Sequence, residues 1–427
     1  MSLSTDRLII EIARITDASG RFIYNIENTI TDFDIMEHID KPYLTGIVTF
    51  QDNIGIYDTL HFDGTERFEL SVRFPEDPGA EIFRTFIIDK IVNTVKNNDV
   101  SELISFHIVE DIAFISSILN VNKAYAGHGR EIIESIFRDY LSGHRLSSMD
   151  YSQALIRSQV VVPNMRPLEA CDWIKDRTYS ENGTPFYLFS SLGQENVIHF
   201  LSLETMLNAN IPDGNKHYVY SQAMASGAQN EAIAGNYLIH NYQVRKNADI
   251  SDLVNKSLVG AVHEFWNVTY ASPSIVNYNV ESVLSQIGIE KSNFAFSNEY
   301  KHNGTKLSEL ESRRSYHTIA SYAYFPEGSY REMSSYERLV TAKSLRNFLT
   351  GTNIDINVPG RNFLVEGMNR TLGNLINLKF LKNSINAPNY VDTKKSGKHL
   401  IYAARHLFKK EKYTVTLSCV KIEDLAE

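Results

Sequence analysis

The sharpest hydrophobic pattern lies near the C-terminal end, in "SGKHLIYAARHLFKKEKYTVTLSCVK" (Ser396–Lys421). Tyr413, Val415, Leu417 and Cys419 alternate with Thr414, Thr416 and Ser418. Side chains on a strand point to opposite faces with period two, so this spacing predicts a strand with one apolar and one polar face. The stretch His399–Phe408 is mostly apolar, and "KKEK" between the two arms reads as a solvated turn. His399 and His406, seven apart, are expected on opposite faces of the first arm. The first 110 residues follow the same rule. "RLIIEIARI", "YLTGIVTFQD" and "RFELSVRF" alternate, Asp63-Gly64 marks a turn, and "FRTFIIDKIVNTVKNNDVSELISFHIVE" reads as two strands around an Asn-Asn-Asp loop.

From residue 111 the period changes. In "GHGREIIESIFRDYL" the residues Ile132, Ile133, Ile136, Phe137, Tyr140 and Leu141 fall on one face of a helix. In "VVVPNMRPLEACDWIKDRTY", Pro167 suits a first helical turn, and Leu168, Cys171 and Ile174 recur at helical spacing. An aromatic hairpin, "PFYLFSSLGQENVIHFLSL", follows. Residues 111–212 therefore read as a small α+β domain. Strand patterns resume at "YLIHNYQV" and "VHEFWNVTYA" around a helix near Asp249–Val259. Residues 271–334 are polar and read as an insertion with strands of its own. A helix is expected from Ser334, where Ser334 and Glu337 have capping-box spacing, to Gly351 just beyond Phe348 and Leu349.

The expected architecture is β-rich α+β. It has one β-barrel domain at 1–110 and a second built from 213–270 plus 335–427. The α+β domain lies between them, and the polar insertion interrupts the second. The two β domains read as two copies of one fold, on pattern rather than identity.

Composition narrows the class. The chain has 427 residues, enough for two to four domains, and 23 Tyr and 22 Phe favour strands. No apolar run approaches the length of about 18 residues that a membrane span needs, so no stable membrane association is expected. "MSLSTDRLII" lacks the apolar core of a signal peptide. Cys171 and Cys419 are read as reduced, buried thiols of a protein made in the cytoplasm. Net charge is −9 but uneven: residues 1–110 carry −11, residues 340–427 carry +7, and the remainder −5. Such asymmetry points to nucleic acid, a membrane surface or a complementary partner.

Candidate chemistry is sparse. Gly127 and Gly129 precede a helix but fit neither phosphate-loop nor dinucleotide spacing. There is no H-E-x-x-H, C-x-x-C or G-x-S-x-G. The carboxylate pairs Asp32/Asp34 and Glu110/Asp111 are what any acidic chain supplies. Trp173 and Trp266 sit in amphipathic patterns as core or interface anchors. The expectation is a protein without catalytic residues, cofactor or metal.

The order of segments carries a resemblance. "VVVPNMRPLEACDWIKDRTYSENGTPFYLFSSLG" resembles the (I/V)PN-x-x-P helix and aromatic hairpin of the baseplate hub proteins of contractile-tailed phages, the T-even type of central hub. "INVPGRNFLVEGMNRTLGNL" and the closing hairpin resemble that family's PG-x-x-x-L-x-x-G and SG-x-x-L-I stretches, and "YLTGIVTFQDNIGIYDTLHFDGTERFELSVRF" its first β domain. The resemblance implies two barrels related to the tail-tube fold and a homotrimeric, pseudo-sixfold ring joining tail tube to central spike. Its implied partners are a trimeric spike protein, a tail tube or tube-initiator protein, and the tape measure protein and DNA passing through the channel. Its implied location is the virion baseplate. It marks Trp173, Gly360, Gly367, Ser396, Gly397, His406 and Tyr413 as structural or interface positions. A polyanion-binding module, for DNA or polysaccharide, is the alternative, and a tail-associated cell-wall hydrolase the third reading. Salt-dependent DNA binding or loss of cell-wall turbidity would favour these.

Overall fold

A computed structural model of the chain describes residues 7–60, 62–75, 77–98, 101–148, 157–212, 214, 216–221, 235–246, 250–257, 259–267, 272–278, 280–287, 301–306, 309–311, 313–319, 324–326, 333–350, 353–364, 370–384, 387–409 and 412–425. The N-terminal strands are β1 (Ile9–Thr16), β2 (Ile23–Asn25), β3 (Ile30–His38), β4 (Thr45–Asp52), β5 (Arg67–Phe74), β6 (Asp77–Asn98) and β7 (Ser101–Glu110). The next set is β8 (Ala124–His128), β9 (Arg145–Leu146), β10 (Arg157–Val161), β11 (Phe186–Ser190) and β12 (Val197–Ser202). Then come β13 (His217–Ser221), β14 (Asn241–Lys246), β15 (Ala261–Asn267), β16 (Ser272–Tyr278), β17 (Lys301–His302), β18 (Thr305–Lys306), β19 (Arg313–Ile319) and β20 (Tyr324–Pro326). The last are β21 (Asn353–Pro359), β22 (Leu375–Ser384), β23 (Ala387–Val391), β24 (Gly397–Lys409) and β25 (Lys412–Asp424).

The chain is β-rich, but its strands do not divide into two closed barrels. Among the described residues the N-terminal and C-terminal strands share one 14-stranded sheet with the path β14-β21-β25-β24-β3-β4-β7-β6-β5-β1-β2. The reason is the length of β24. Gly397–Leu400 pairs with β22, while Ala403–Lys409 reaches on to pair with β3. The cores merge accordingly: one cluster holds Phe33, Ile35, Val48, Phe50, Phe106 and Ile108 together with Ile354, Leu375, Leu400, Val415 and Leu417.

The sheet contains a repeated order. The sets β3-β4-β7-β6 and β14-β21-β25-β24 both run first, second, fourth, third in chain order, with antiparallel neighbours throughout. In both sets the first part of the third strand pairs outward with a strand from outside the set. The first part of β6 pairs with β5, as the first part of β24 pairs with β22.

Residues 111–207 hold a second core around the helices Gly129–Tyr140 and Pro167–Lys175, built from Ile132, Ile133, Ile136, Phe137, Leu168, Cys171 and Ile174 with Phe186, Leu188, Ile198 and Phe200. Of the six residues expected on one face, Ile132, Ile133, Ile136, Phe137 and Leu141 are buried and Tyr140 is half-buried. In the polar stretch, β15 lies between β16 and β19, and β20 pairs with β10 of the smaller unit. The following helix begins at Met333, so Ser334 lies inside it rather than capping it. Gly351 lies outside the described residues.

The closing hairpin follows its alternation. Tyr413, Val415, Leu417 and Cys419 are fully buried, and Thr414, Thr416 and Ser418 lie on the opposite face. His399 and His406 depart from expectation, since both are buried. A bulge between Ile401 and Ala403 inserts one residue and shifts the parity of the strand.

Candidate functional site

The joint between β24 and β3 is where the two β regions meet. Its register runs from Ala403 opposite His38 to Lys409 opposite Asp32. Phe33 and Phe408 stack across it with centroids 4.0 Å apart. On the outward face Arg405 Nε donates to Asp34 Oδ2 at 2.7 Å, and this bond raises the pKa of the guanidinium. A basic strand of the C-terminal region therefore meets an acidic strand of the N-terminal one. The pair is partly exposed, so it orders the joint more than it stabilises it.

Beneath the joint lies a buried polar cluster. His406 Nδ1 is 2.7 Å from the Tyr413 hydroxyl, and His406 Nε2 faces Glu37 Oε1 at 3.1 Å, within ion-pair distance but off the line of a hydrogen bond. With the imidazole proton on Nε2, Nδ1 accepts from the hydroxyl. Burial, and then the charge of Glu37, push the Tyr413 pKa well above its ordinary value, so the phenol stays protonated. Glu37 also accepts from the backbone N–H of Leu192 at 2.5 Å and from the Ser191 hydroxyl at 3.3 Å. Arg84 Nε donates to Leu192 O at 3.1 Å, and its Nη1 lies 3.7 Å from Glu110 Oε1. Burial lowers the Arg84 pKa, and Glu110 and Glu37 oppose that shift. Thr371 N–H donates to the Ser191 hydroxyl at 3.1 Å. One cluster thus clasps β3, β6, β7, the loop after β11, the loop before β22 and the closing hairpin. It contains carboxylates, an imidazole and a phenol, but they are sealed from solvent and face one another. The arrangement holds units together and presents nothing to a substrate.

Among the described residues, an edge is left open at each end of the two repeated strand sets. The outer edge of β24 is filled by β22 and then by β3, whereas the outer edge of β6 is filled by β5 only as far as Ile87. Ile88 N–H still donates to Glu66 O at 2.8 Å, and from Asp89 to Asn98 no described strand pairs with it on that side. At the other end of the path β14 pairs only with β21. Val92 and Val95 on β6 are about half exposed. Long open edges are templates for pairing with another chain.

No protein-family model matches the chain, and no curated protein matches it in sequence. Solved structures do. A tail protein from Neisseria meningitidis MC58 aligns with a TM-score of 0.53 at 9% identity, over 97% of this chain and 95% of that one. The 43 kDa tail protein of prophage MuSo2 from Shewanella oneidensis aligns with a TM-score of 0.51 at 8% identity, over 97% of this chain and 100% of that one. The chain has the fold of phage tail proteins. The resemblance read from its motifs thus reappears in the fold.

Within this tail-protein fold the marked residues are dispersed, and three of them meet. Gly360 lies under the Tyr413 ring, where an added Cβ would sit 2.2 Å from ring carbons, and its N–H donates to Tyr413 O at 3.1 Å. His406 completes that group. Ser396 and Gly397 start the hairpin elsewhere. The Ser396 hydroxyl accepts from Phe380 N–H at 2.9 Å. Gly397 has φ +133°, and a Cβ there would meet Glu423 O at 2.0 Å. Trp173 packs against the second core with the Arg177 guanidinium 4.1 Å above its ring. Gly367 lies outside the described residues.

Glu37, Arg84, Glu110, Ser191 and Thr371 were not singled out from sequence. Two of them left a signal. Glu37 has the parity of Phe33 and Ile35, and Arg84 that of Phe86 and Ile88, all buried. A charge at a core position of an alternating strand needs a partner.

Proposed function

We propose that this protein is the structural hub of a contractile phage baseplate, a homotrimer forming a pseudo-sixfold ring that joins tail tube to central spike. One observation carries the ring. The edge of β6 from Asp89 to Asn98 corresponds, in the repeated strand order, to the edge of β24 that β3 fills. By the same repeat, the first strand of the next copy, β14, fills the edge of β6. A head-to-tail contact of this kind closes a ring when the rotation permits. Three copies would bring six four-stranded sets together, twenty-four strands in one closed layer.

Charge supports part of this. Acid meets base at the in-chain joint, in Arg405–Asp34 and in Lys409 opposite Asp32. The open edges are different, because both are basic: Lys90 and Lys96 on β6, Arg245 and Lys246 on β14. Arg245 is already paired with Asp355. Joining there would rest on backbone hydrogen bonds and on Val92 and Val95.

We take residues 1–110 and 213–270 plus 335–427 as the two repeated units, 111–212 as the domain mounted on them and 271–334 as an insertion. The spike, the tail tube or its initiator, the tape measure protein and DNA are the partners of this reading, and the virion baseplate is its location. No helix among the described residues is long and apolar enough to cross a membrane. The hub role is non-enzymatic, and cell-wall and polysaccharide digestion assays on the pure protein should be blank. Part of the basic surplus at the C-terminal end meets acids of other regions, Arg405 with Asp34 and Arg346 with Asp176, which favours a hub over a polyanion-binding module.

The deciding experiment is the mass of the assembled protein, alone and with spike and tube partners. Three times 48.6 kDa is expected. A monomer under every condition overturns the reading.

A further inference from the structure

We propose that a groove at the tip of the closing hairpin docks an acidic, extended segment of a partner chain. Three independent features converge there. The first is a row of charges across the strands. Arg7 bridges Lys412, Lys412 lies opposite Lys409, and Lys409 lies opposite Asp32. Like charges directly opposite on antiparallel strands repel. Neither Lys409 nor Lys412 makes an ion pair with a described side chain, and both are exposed. In sequence, the single Glu of "KKEK" stands among three lysines. An incoming carboxylate would relieve the row.

The second feature is the cavity beside it, about 440 Å³ in volume, within the range of roughly 300–1,000 Å³ typical of binding sites. Its floor is apolar, made by Leu8, Ile10, Ile30, Phe33 and Phe408. Its cations are Arg7, Lys409 and Lys412, and its one acid is Glu27. The third is an open edge. β1 pairs with β5 along its length and with β2 only from Arg14 to Thr16. From Ile9 to Ile12 no described strand lies on its other side. An added strand would bond its backbone to β1, turn alternate apolar side chains onto the floor and alternate acids toward the lysines. This groove is distinct from the β6 and β14 edges, so the inference stands whether or not the protein forms a trimer.

The test uses the full-length protein and a labelled peptide, acetyl-(Glu-Val)3-amide, with acetyl-(Lys-Val)3-amide as control. Saturable binding of the acidic peptide is expected, at least about tenfold tighter than the control and weakening as salt is raised. Lys412→Glu should lose at least about tenfold in affinity. The same variant should raise the unfolding midpoint of the peptide-free protein, because it places an acid opposite Lys409. Loss of stability and affinity together would mark a merely structural lysine and overturn the proposal. So would equal binding of both peptides, or competition by a DNA oligonucleotide as strong as by the acidic peptide, which would mark a general anion surface.

Discussion

At the scale of single residues, the buried cluster sets the expectations. Tyr413→Phe removes the hydroxyl that His406 Nδ1 meets and leaves a buried polar atom without a partner. It should cost about 1–3 kcal/mol, measured by denaturant unfolding. Gly360 has an ordinary φ of −77°, so its need is for space and not for a special conformation. Gly360→Ala should cost about 1–3 kcal/mol or more by forcing the Tyr413 ring to move. If Gly360→Ala unfolds like the parent protein, the close contact with Tyr413 does not hold in solution. His399 gives a pH dependence. It is fully buried, with Nδ1 3.0 Å from Gly397 O, and burial pushes its pKa down to about 3. An unfolded histidine titrates near 6.5. Between those values the unfolded chain binds a proton that the folded one does not, so stability is full above about pH 6.5 and falls as pH falls toward 3. From pH 7 to pH 5 the loss should be about 2 kcal/mol. His399→Gln should flatten that slope relative to the parent protein, and equal slopes would show that His399 is not the group responsible.

At the scale of elements, the closing hairpin is read by paired substitutions. Leu417 is fully buried and Thr416 faces outward. Leu417→Asp should abolish folding or cost more than about 4 kcal/mol by burying an unpaired charge, while Thr416→Asp should stay within about 1 kcal/mol. Similar losses would mean that the strand is in the other register. The alternation of β25 was legible because Tyr413, Val415, Leu417 and Cys419 face one core without interruption. In β24 it was not, because a bulge is made by pairing with β25 and leaves no mark in residue type. The same limit hid the partner of each half of β24. Its residues prescribe a strand, and only the neighbours in space decide that one half meets β22 and the other β3.

At the scale of the whole molecule, the open edge of β6 makes the last prediction. Val92 is the extra residue of a bulge between Ile91 and Asn93 and is half exposed. A proline is tolerated at such a position, so Val92→Pro should leave monomer stability within about 1 kcal/mol. If the edge joins subunits, the variant should remain monomeric where the parent protein assembles, as read by light scattering. Assembly of Val92→Pro with parent affinity would place the subunit contact elsewhere.

The amino-acid order by itself determined the local layer of this protein: the alternating strands, the amphipathic helices at Gly129–Tyr140 and Pro167–Lys175, the glycines at tight positions, and the uneven charge. These follow from periodicity and side-chain size, which act over a few residues. The tertiary structure alone decided that two β regions expected as separate barrels share one sheet. It also decided that Gly360, His406 and Tyr413 meet over Glu37 while Ser396, Gly397 and Trp173 do not join them, and that edges are left open at β1, β6 and β14. Strand partners, parity shifts and buried charge pairs depend on contacts between residues up to several hundred positions apart, and no short-range pattern encodes them.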